Sequence, residues 1–124
     1  MTNRSLLFGD IVTVRFPTQN PQGREQEGYR PAIAIGFPNR LGTPRFELII
    51  VIPMTTDRNQ ARAIASPDLY PRFAAGVAGL RSPSIALLDQ VRVLDINRIV
   101  DYRGSLTPEE YAPILSGLQR MTSP

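Results

Sequence analysis

What most constrains this chain is the shortness of its apolar runs and the residues that break them. Twelve prolines and nine glycines punctuate 124 residues, and the longest uninterrupted apolar stretch, Leu48 to Ile52, has the length of a strand. A helix that crosses a bilayer needs about 20 such residues, so no segment of the sequence can supply one. What can form is a set of short strands joined by turns. Residues 10–16 alternate, with Val12, Val14 and Phe16 on one face and Ile11, Thr13 and Arg15 on the other. Residues 17–28, polar and carrying Pro17, Pro21 and Gly23, read as a long loop. Residues 31–37 set Ile33, Ile35 and Phe37 against the small Ala32, Ala34 and Gly36, a face that another sheet can approach closely. Pro38, Asn39, Gly42 and Pro44 predict a hairpin connection. Phe46 to Ile52, apolar on both faces apart from Glu47, predicts a central strand that Pro53 ends or edges.

Beyond residue 57 the signals are mixed. Ala63-Ile64-Ala65 reads as a short strand, and residues 67–79 as loop with at most one helical turn. Residues 84–88 and 90–94 predict two further strands, or one bent strand. Thr107-Pro108-Glu109-Glu110 combines a capping hydroxyl, a proline at the first helical position and a glutamate at the third, the signature of a capping box. Tyr111, Ile114, Leu115 and Leu118 follow with i, i+3, i+4, i+7 spacing and form one apolar stripe. Pro113 lacks an N–H, which predicts a kink or a delayed start. With no repeat or linker, residues 1–124 are expected to form a single domain, mainly β with a C-terminal helix and close to a small barrel.

Composition narrows the chemistry. There is no cysteine, histidine or tryptophan. This excludes disulfides, thiolate or Ser-His-Asp catalysis and the usual nitrogen and sulfur ligands of transition metals, so no metal site is expected. Only Leu6-Leu7-Phe8 interrupts the polar first ten residues, too short for the apolar part of a signal peptide, so a cytoplasmic location is expected. All fourteen basic residues are arginine; eight lie in residues 1–62 against five acids, while residues 63–124 hold six of each sign. An arginine-preferring composition explains the bias without any function. The planar guanidinium nevertheless fits a phosphate with two hydrogen bonds, and the net charge of +3 is compatible with nucleic acid.

Four segments stand out as a set: Gly9-Asp10-Ile11-Val12, Glu25-Gln26-Glu27-Gly28-Tyr29-Arg30-Pro31-Ala32, Ile52-Pro53-Met54-Thr55-Thr56 and Ser84-Ile85-Ala86-Leu87-Leu88-Asp89-Gln90-Val91-Arg92. Together they resemble the MazF/PemK family of toxins, over residues 9 to about 121. The resemblance implies an SH3-like small β-barrel of the MazF/PemK/CcdB type and a homodimer. It also implies a sequence-selective endoribonuclease that cuts single-stranded RNA without a metal or other cofactor, neutralised by a cognate antitoxin protein.

Arg30 leads the candidate residues. From the residues alone, an arginine here can equally anchor the loop to a carboxylate. The resemblance implies a catalytic role, and the physical one is charge stabilisation, because attack by the adjacent 2′-oxygen builds negative charge on phosphorus while guanidinium keeps its own proton. Thr55 matches the family's catalytic threonine; Thr56 beside it can help bind phosphate, although such a pair also suits a plain turn. Glu25 is the candidate base, with Asp89 its rival; a proposed family mechanism with Asp as base has an Arg two residues earlier, where this chain has Leu87. Gln26, Arg24, Gln90 and Arg92 are the remaining RNA-binding candidates, Gln90 and Arg92 sharing one face of a strand that could equally be merely solvated. Aromatic residues for stacking are few, with Tyr29, Phe16 and Phe37 the nearest. Two other readings compete: a non-catalytic toxin such as the CcdB-type gyrase poisons, which act through a C-terminal Trp that this chain lacks, and a barrel that binds nucleic acid without cutting it.

Overall fold

A computed structural model describes residues 5–23 and 25–124; the candidate Arg24 lies outside the described residues. Seven strands form, β1 (Asp10–Phe16), β2 (Gly28–Gly36), β3 (Leu48–Thr56), β4 (Arg72–Phe73), β5 (Ser84–Ala86), β6 (Arg92–Asp95) and β7 (Ile99–Ser105). Two α-helices accompany them among the described residues, α1 (Ala61–Ala65) and the C-terminal α2 (Pro108–Thr122). The antiparallel sheet runs β4-β5-β3-β2-β1-β7, with β6 joined to the first half of β3, and curls into a half-barrel. The chain is thus mainly β with a C-terminal helix, as the alternation and the capping box predict.

The curl gives the sheet two apolar faces. Val12, Val14, Phe16, Ala32, Ala34, Ile49 and Val51 pack on one face with Leu94 and Ile99. Ile11, Ile33, Ile52 and Met54 occupy the other, covered by Leu106 and by Ile114 of α2. Strands buried on both sides need apolar residues at every position, which is why β3 reads as a continuous run. The small face of Ala32 and Ala34 is fully buried against this chain's own β1 and β3, so the close approach is made within the chain and not by a second sheet. A side chain at Gly36 would meet Ile50 at 2.8 Å, so that approach extends to the end of β2.

Several expectations need correcting. Pro53 neither ends β3 nor lies at its edge; the strand continues to Thr56. The Pro53 carbonyl accepts the Leu87 N–H at 2.9 Å, so its nitrogen points to the same side of the strand. There β3 changes partner from β6 to β5 across the turn Leu88–Gln90, and no ladder bond requires the missing N–H. Ala63 to Ala65 is helical: in α1 only Ala63 turns inward, against Tyr70, Ile85 and Leu87, and alanine is the best helix former. α2 runs unbroken through Pro113, its capping box formed by Thr107 and Glu110. Leu115 leaves the expected stripe and is exposed. β7 has no clean alternation in sequence and is held by pairing with β1.

Candidate active site: an arginine-lined groove where β2 and β3 part

β2 and β3 pair from Gly36 opposite Ile50 as far as Ala32 opposite Pro53. Past that point β3 follows β5, with Thr55 opposite Ile85 and Thr56 opposite Ser84, while β2 stays with β1, with Arg30 opposite Val14. Two steps beyond the last pair in each strand stand Arg30 and Thr55, facing one another across the gap. The separation leaves a groove of about 240 Å³ lined by both residues and by Thr56 and Tyr29. Although Tyr29 and Arg30 alternate along β2, both border a groove that lies along the strand's free edge.

The sequence did not point to the rest of the wall. Arg81, Ser82 and Ser84 enter from the segment leading into β5, and Arg103 from β7. Arg103 arrives through a close backbone crossing. A Cβ at Gly79, whose φ is +77°, would collide with the Arg103 carbonyl, and one at Gly104 would collide with the backbone of Ala78. Only glycine serves at both positions. Among the described residues, the groove therefore holds three guanidiniums and several hydroxyls, and no carboxylate lines it. Arg30 is exposed, its Nε donating to the Glu27 carbonyl at 3.3 Å; Arg103 donates to the Gly79 carbonyl at 3.5 Å. Among the described residues none of the three forms an ion pair. Such a site favours an anion, above all one whose charge grows during reaction.

The other candidates lie elsewhere. Gln26, Gln90 and Arg92 form a latch on the end of the 17–27 loop: the Gln26 N–H donates to Gln90 Oε1 at 2.9 Å, and Arg92 Nη1 reaches the Gln26 carbonyl at 3.5 Å. Gln26 Oε1 is buried without a hydrogen-bond partner among the described residues. The Arg92 guanidinium lies over the Phe16 ring, 5.4 Å from its centre, and Phe37 packs edge-on against Phe8, so two of the three possible stacking rings are occupied. Glu25 is exposed in the loop, its carboxylate over Gly23, and does not line the groove. Asp89 borders a second cavity, of about 420 Å³, that has Thr55 in common with the groove. There it accepts the Tyr70 hydroxyl at 2.7 Å. That bond, helped by burial, raises the Tyr70 phenol above its ordinary pKa. No group of three or more Asp or Glu side chains among the described residues is arranged to hold a metal. No helix among them is long and apolar enough to cross a membrane.

The family model for the PemK-like, MazF-like toxin of type II toxin–antitoxin systems matches residues 8–122. The fold is similar to the crystal structure of MazF (Form-I) from Deinococcus radiodurans, with a TM-score of 0.67 and 21% identity, covering 92% of this chain and 93% of that one. It is also similar to an endoribonuclease solved with its cognate antitoxin from a mycobacterial species, with a TM-score of 0.62 and 16% identity, covering 93% and 90% of the two chains. No curated protein matches the sequence.

Proposed function

The chain belongs to the PemK-like, MazF-like toxin family of type II toxin–antitoxin systems, and on that premise we propose that it is a sequence-selective endoribonuclease that cuts single-stranded RNA without a metal. One observation carries the reading: the groove brings Arg30 and Thr55 together and adds two further arginines, with no neutralising carboxylate among the described residues. In the proposed reaction the scissile phosphate enters this groove. The 2′-oxygen of the preceding nucleotide attacks phosphorus, a bond to phosphorus forms, and the 5′-oxygen departs with its electron pair and takes up a proton. The products are a 2′,3′-cyclic phosphate and a 5′-hydroxyl. Intramolecular attack already has a large proximity advantage, so the protein must orient the phosphate and stabilise charge. Arg30 clamps the non-bridging oxygens, Thr55 and Thr56 donate hydroxyl hydrogen bonds, and Arg81 and Arg103 hold the flanking strand. Glu25 is the proposed proton acceptor for the 2′-hydroxyl, a role that requires the 17–27 loop to lift its carboxylate from Gly23 towards the groove.

One toxin domain spans the chain in this reading. It works in the cytoplasm as a homodimer and is silenced by a cognate antitoxin whose acidic segment competes with RNA for the arginines. The neighbour solved with its own antitoxin supports that partner class, and the exposed Phe46, Val93 and Val100 supply apolar surface for a second copy.

The deciding experiment compares an RNA carrying one 2′-deoxy nucleotide immediately 5′ of the cut with its all-ribose twin, in excess EDTA. Cleavage of the ribose strand alone is expected. Cutting of the deoxy strand, or loss of cutting in EDTA, would replace the 2′-oxygen with water or a metal as the source of the nucleophile.

A further inference from the structure

Thr55 separates two cavities, and the second differs in chemistry from the groove. Its floor is apolar: Ala63, Ile85 and Leu87 are each less than a tenth exposed. Several of its polar groups are held in place by hydrogen bonds. Gln60 spends both ends of its amide on the backbone, Oε1 accepting the Arg58 N–H at 2.8 Å and Nε2 donating to the Thr56 carbonyl at 3.0 Å. Asp89 is fixed by the Tyr70 hydroxyl on one oxygen and keeps open acceptor positions on both. Gln90 accepts the Gln26 N–H on Oε1, which settles the orientation of its amide and leaves Nε2 as a donor. Arg62 adds a second donor on the same wall. An apolar slot with a few oriented polar groups, one residue from a phosphate groove, has the form of a base-reading pocket.

We propose that this cavity reads a guanine base of the RNA next to the scissile phosphate, with Asp89 accepting from its N1–H and N2 amino group and Gln90 or Arg62 donating to O6. The proposal rests on the nuclease reading above and gives that site its specificity element. A carboxylate presents two neighbouring acceptors, and guanine is the one common base whose pairing edge presents two neighbouring donors. Uracil offers one donor between two acceptors, while cytosine and adenine offer one donor group beside an acceptor. Each would set a lone pair against a carboxylate oxygen. Asp89 is therefore a reader of sequence and not the base of the reaction, which accords with its place on the far side of Thr55 from Arg30.

The test uses the full chain and its Asp89→Asn variant. Asparagine still accepts the Tyr70 hydroxyl but puts an amide donor where the second acceptor stood. With wild-type protein, mapped ends from a random-sequence RNA are expected to be enriched in guanine at one position beside the cut. The variant should lower kcat/KM for a guanine-containing substrate, relative to the same RNA with uracil there, by about 10- to 100-fold. No guanine enrichment, an unchanged preference in the variant, or an equal loss on both substrates would each overturn the proposal. Titration of wild-type protein with guanosine and uridine 5′-monophosphates decides the matter independently of cleavage and of the variant's folding. At least tenfold tighter binding of the guanosine nucleotide is expected, and equal binding refutes the pocket. Should the wild-type protein cut no RNA, the nuclease reading fails, and the nucleotide titration alone still accepts or rejects guanine in this cavity.

Discussion

Two arginine-bearing regions meet at the C-terminal end of β3, and they use the same side chain in opposite ways. On one side, Arg30, Arg81 and Arg103 line a groove that contains no carboxylate among the described residues. On the other, one residue past Thr56, Asp57 takes the Arg72 guanidinium in a fork, Nε to Oδ2 at 2.7 Å and Nη2 to Oδ1 at 3.0 Å. Arg72 Nη2 also donates to Asn59 Oδ1 at 2.6 Å. In the second region the charge is cancelled and the guanidinium braces the chain between β3 and β4. In the first the charge is held by a scaffold that supplies no counter-ion, which leaves an external anion as the natural partner. The difference lies in which neighbours the fold provides, since the residue type is the same.

The sharpest way to break this contrast is at Arg30. Arg30→Lys keeps the charge and removes the planar two-bond fork, so it should reduce cleavage almost as much as Arg30→Ala. The expected loss is about a hundredfold or more, on the order of 3 kcal/mol of transition-state stabilisation. The melting temperature should stay near that of the wild type, because Arg30 is exposed and makes one long bond to its own loop. Single-turnover rates on one RNA, measured beside thermal melts, check both halves. Full activity of Arg30→Lys would mean that the groove holds phosphate by bulk charge alone.

Arg81→Ala and Arg103→Ala should have a smaller effect and a different kind. If these residues hold the flanking strand, each removes a phosphate contact, raises KM by about tenfold and lowers the salt dependence of binding by roughly one unit of slope. A fall in kcat with unchanged KM would move them into the chemical step. These two residues also mark the limit of what the sequence made legible. Arg30, Thr55 and Thr56 stand in short segments whose order is informative, and the structure brings all three to one groove. Arg103 reaches it only because Gly79 and Gly104 let β7 cross the turn at Val77–Gly79, a contact between residues far apart in the chain. The fold was legible where alternation or capping is local, as in β1 and α2. It was not legible at Pro53, where tolerance depends on a change of strand partner, nor at α1, whose three-residue apolar core suits a strand and a helix equally.

The latch comes next. Gln90→Ala removes the acceptor for the Gln26 N–H, and Arg92→Ala removes both the bond to the Gln26 carbonyl and the packing on Phe16. Each should destabilise the protein by about 1 kcal/mol. Their clearest sign should be faster amide exchange in residues 17–27, and Arg92→Ala should change cleavage of a short saturating RNA only a few-fold. Exchange unchanged in both variants would mean that these side chains do not order the loop.

The smallest effect is expected at the braced arginine, and it is a matter of pH. The Asp57 carboxyl is held below its ordinary value of 3.8, first by the hydrogen bond from Arg72 and then by the Asn59 N–H, with the Arg72 charge adding to both and burial opposing them. A carboxyl that is more acidic in the folded chain than in the unfolded one favours folding when ionised. That contribution is complete above the unfolded value, and it disappears as pH falls below about 4 and the folded group is protonated. Asp57→Asn should therefore melt only slightly below the wild type at neutral pH, since the Arg72 side of the pair is open to solvent and Arg72 keeps its bond to Asn59. Its melting temperature should then fall less steeply than the wild type's as the pH is taken below about 4. Melts across that range check the sign, and a variant whose acid limb parallels the wild type's would show that Asp57 is not a source of it. The same variant bears on the contrast between the two regions. Its cleavage rate at neutral pH should stay within a few-fold of wild type, because Arg72 does not line the groove. Loss of cleavage on the scale of Arg30→Lys would mean that the brace positions Thr55 and Thr56, and the two regions at this end of β3 would then form one functional unit.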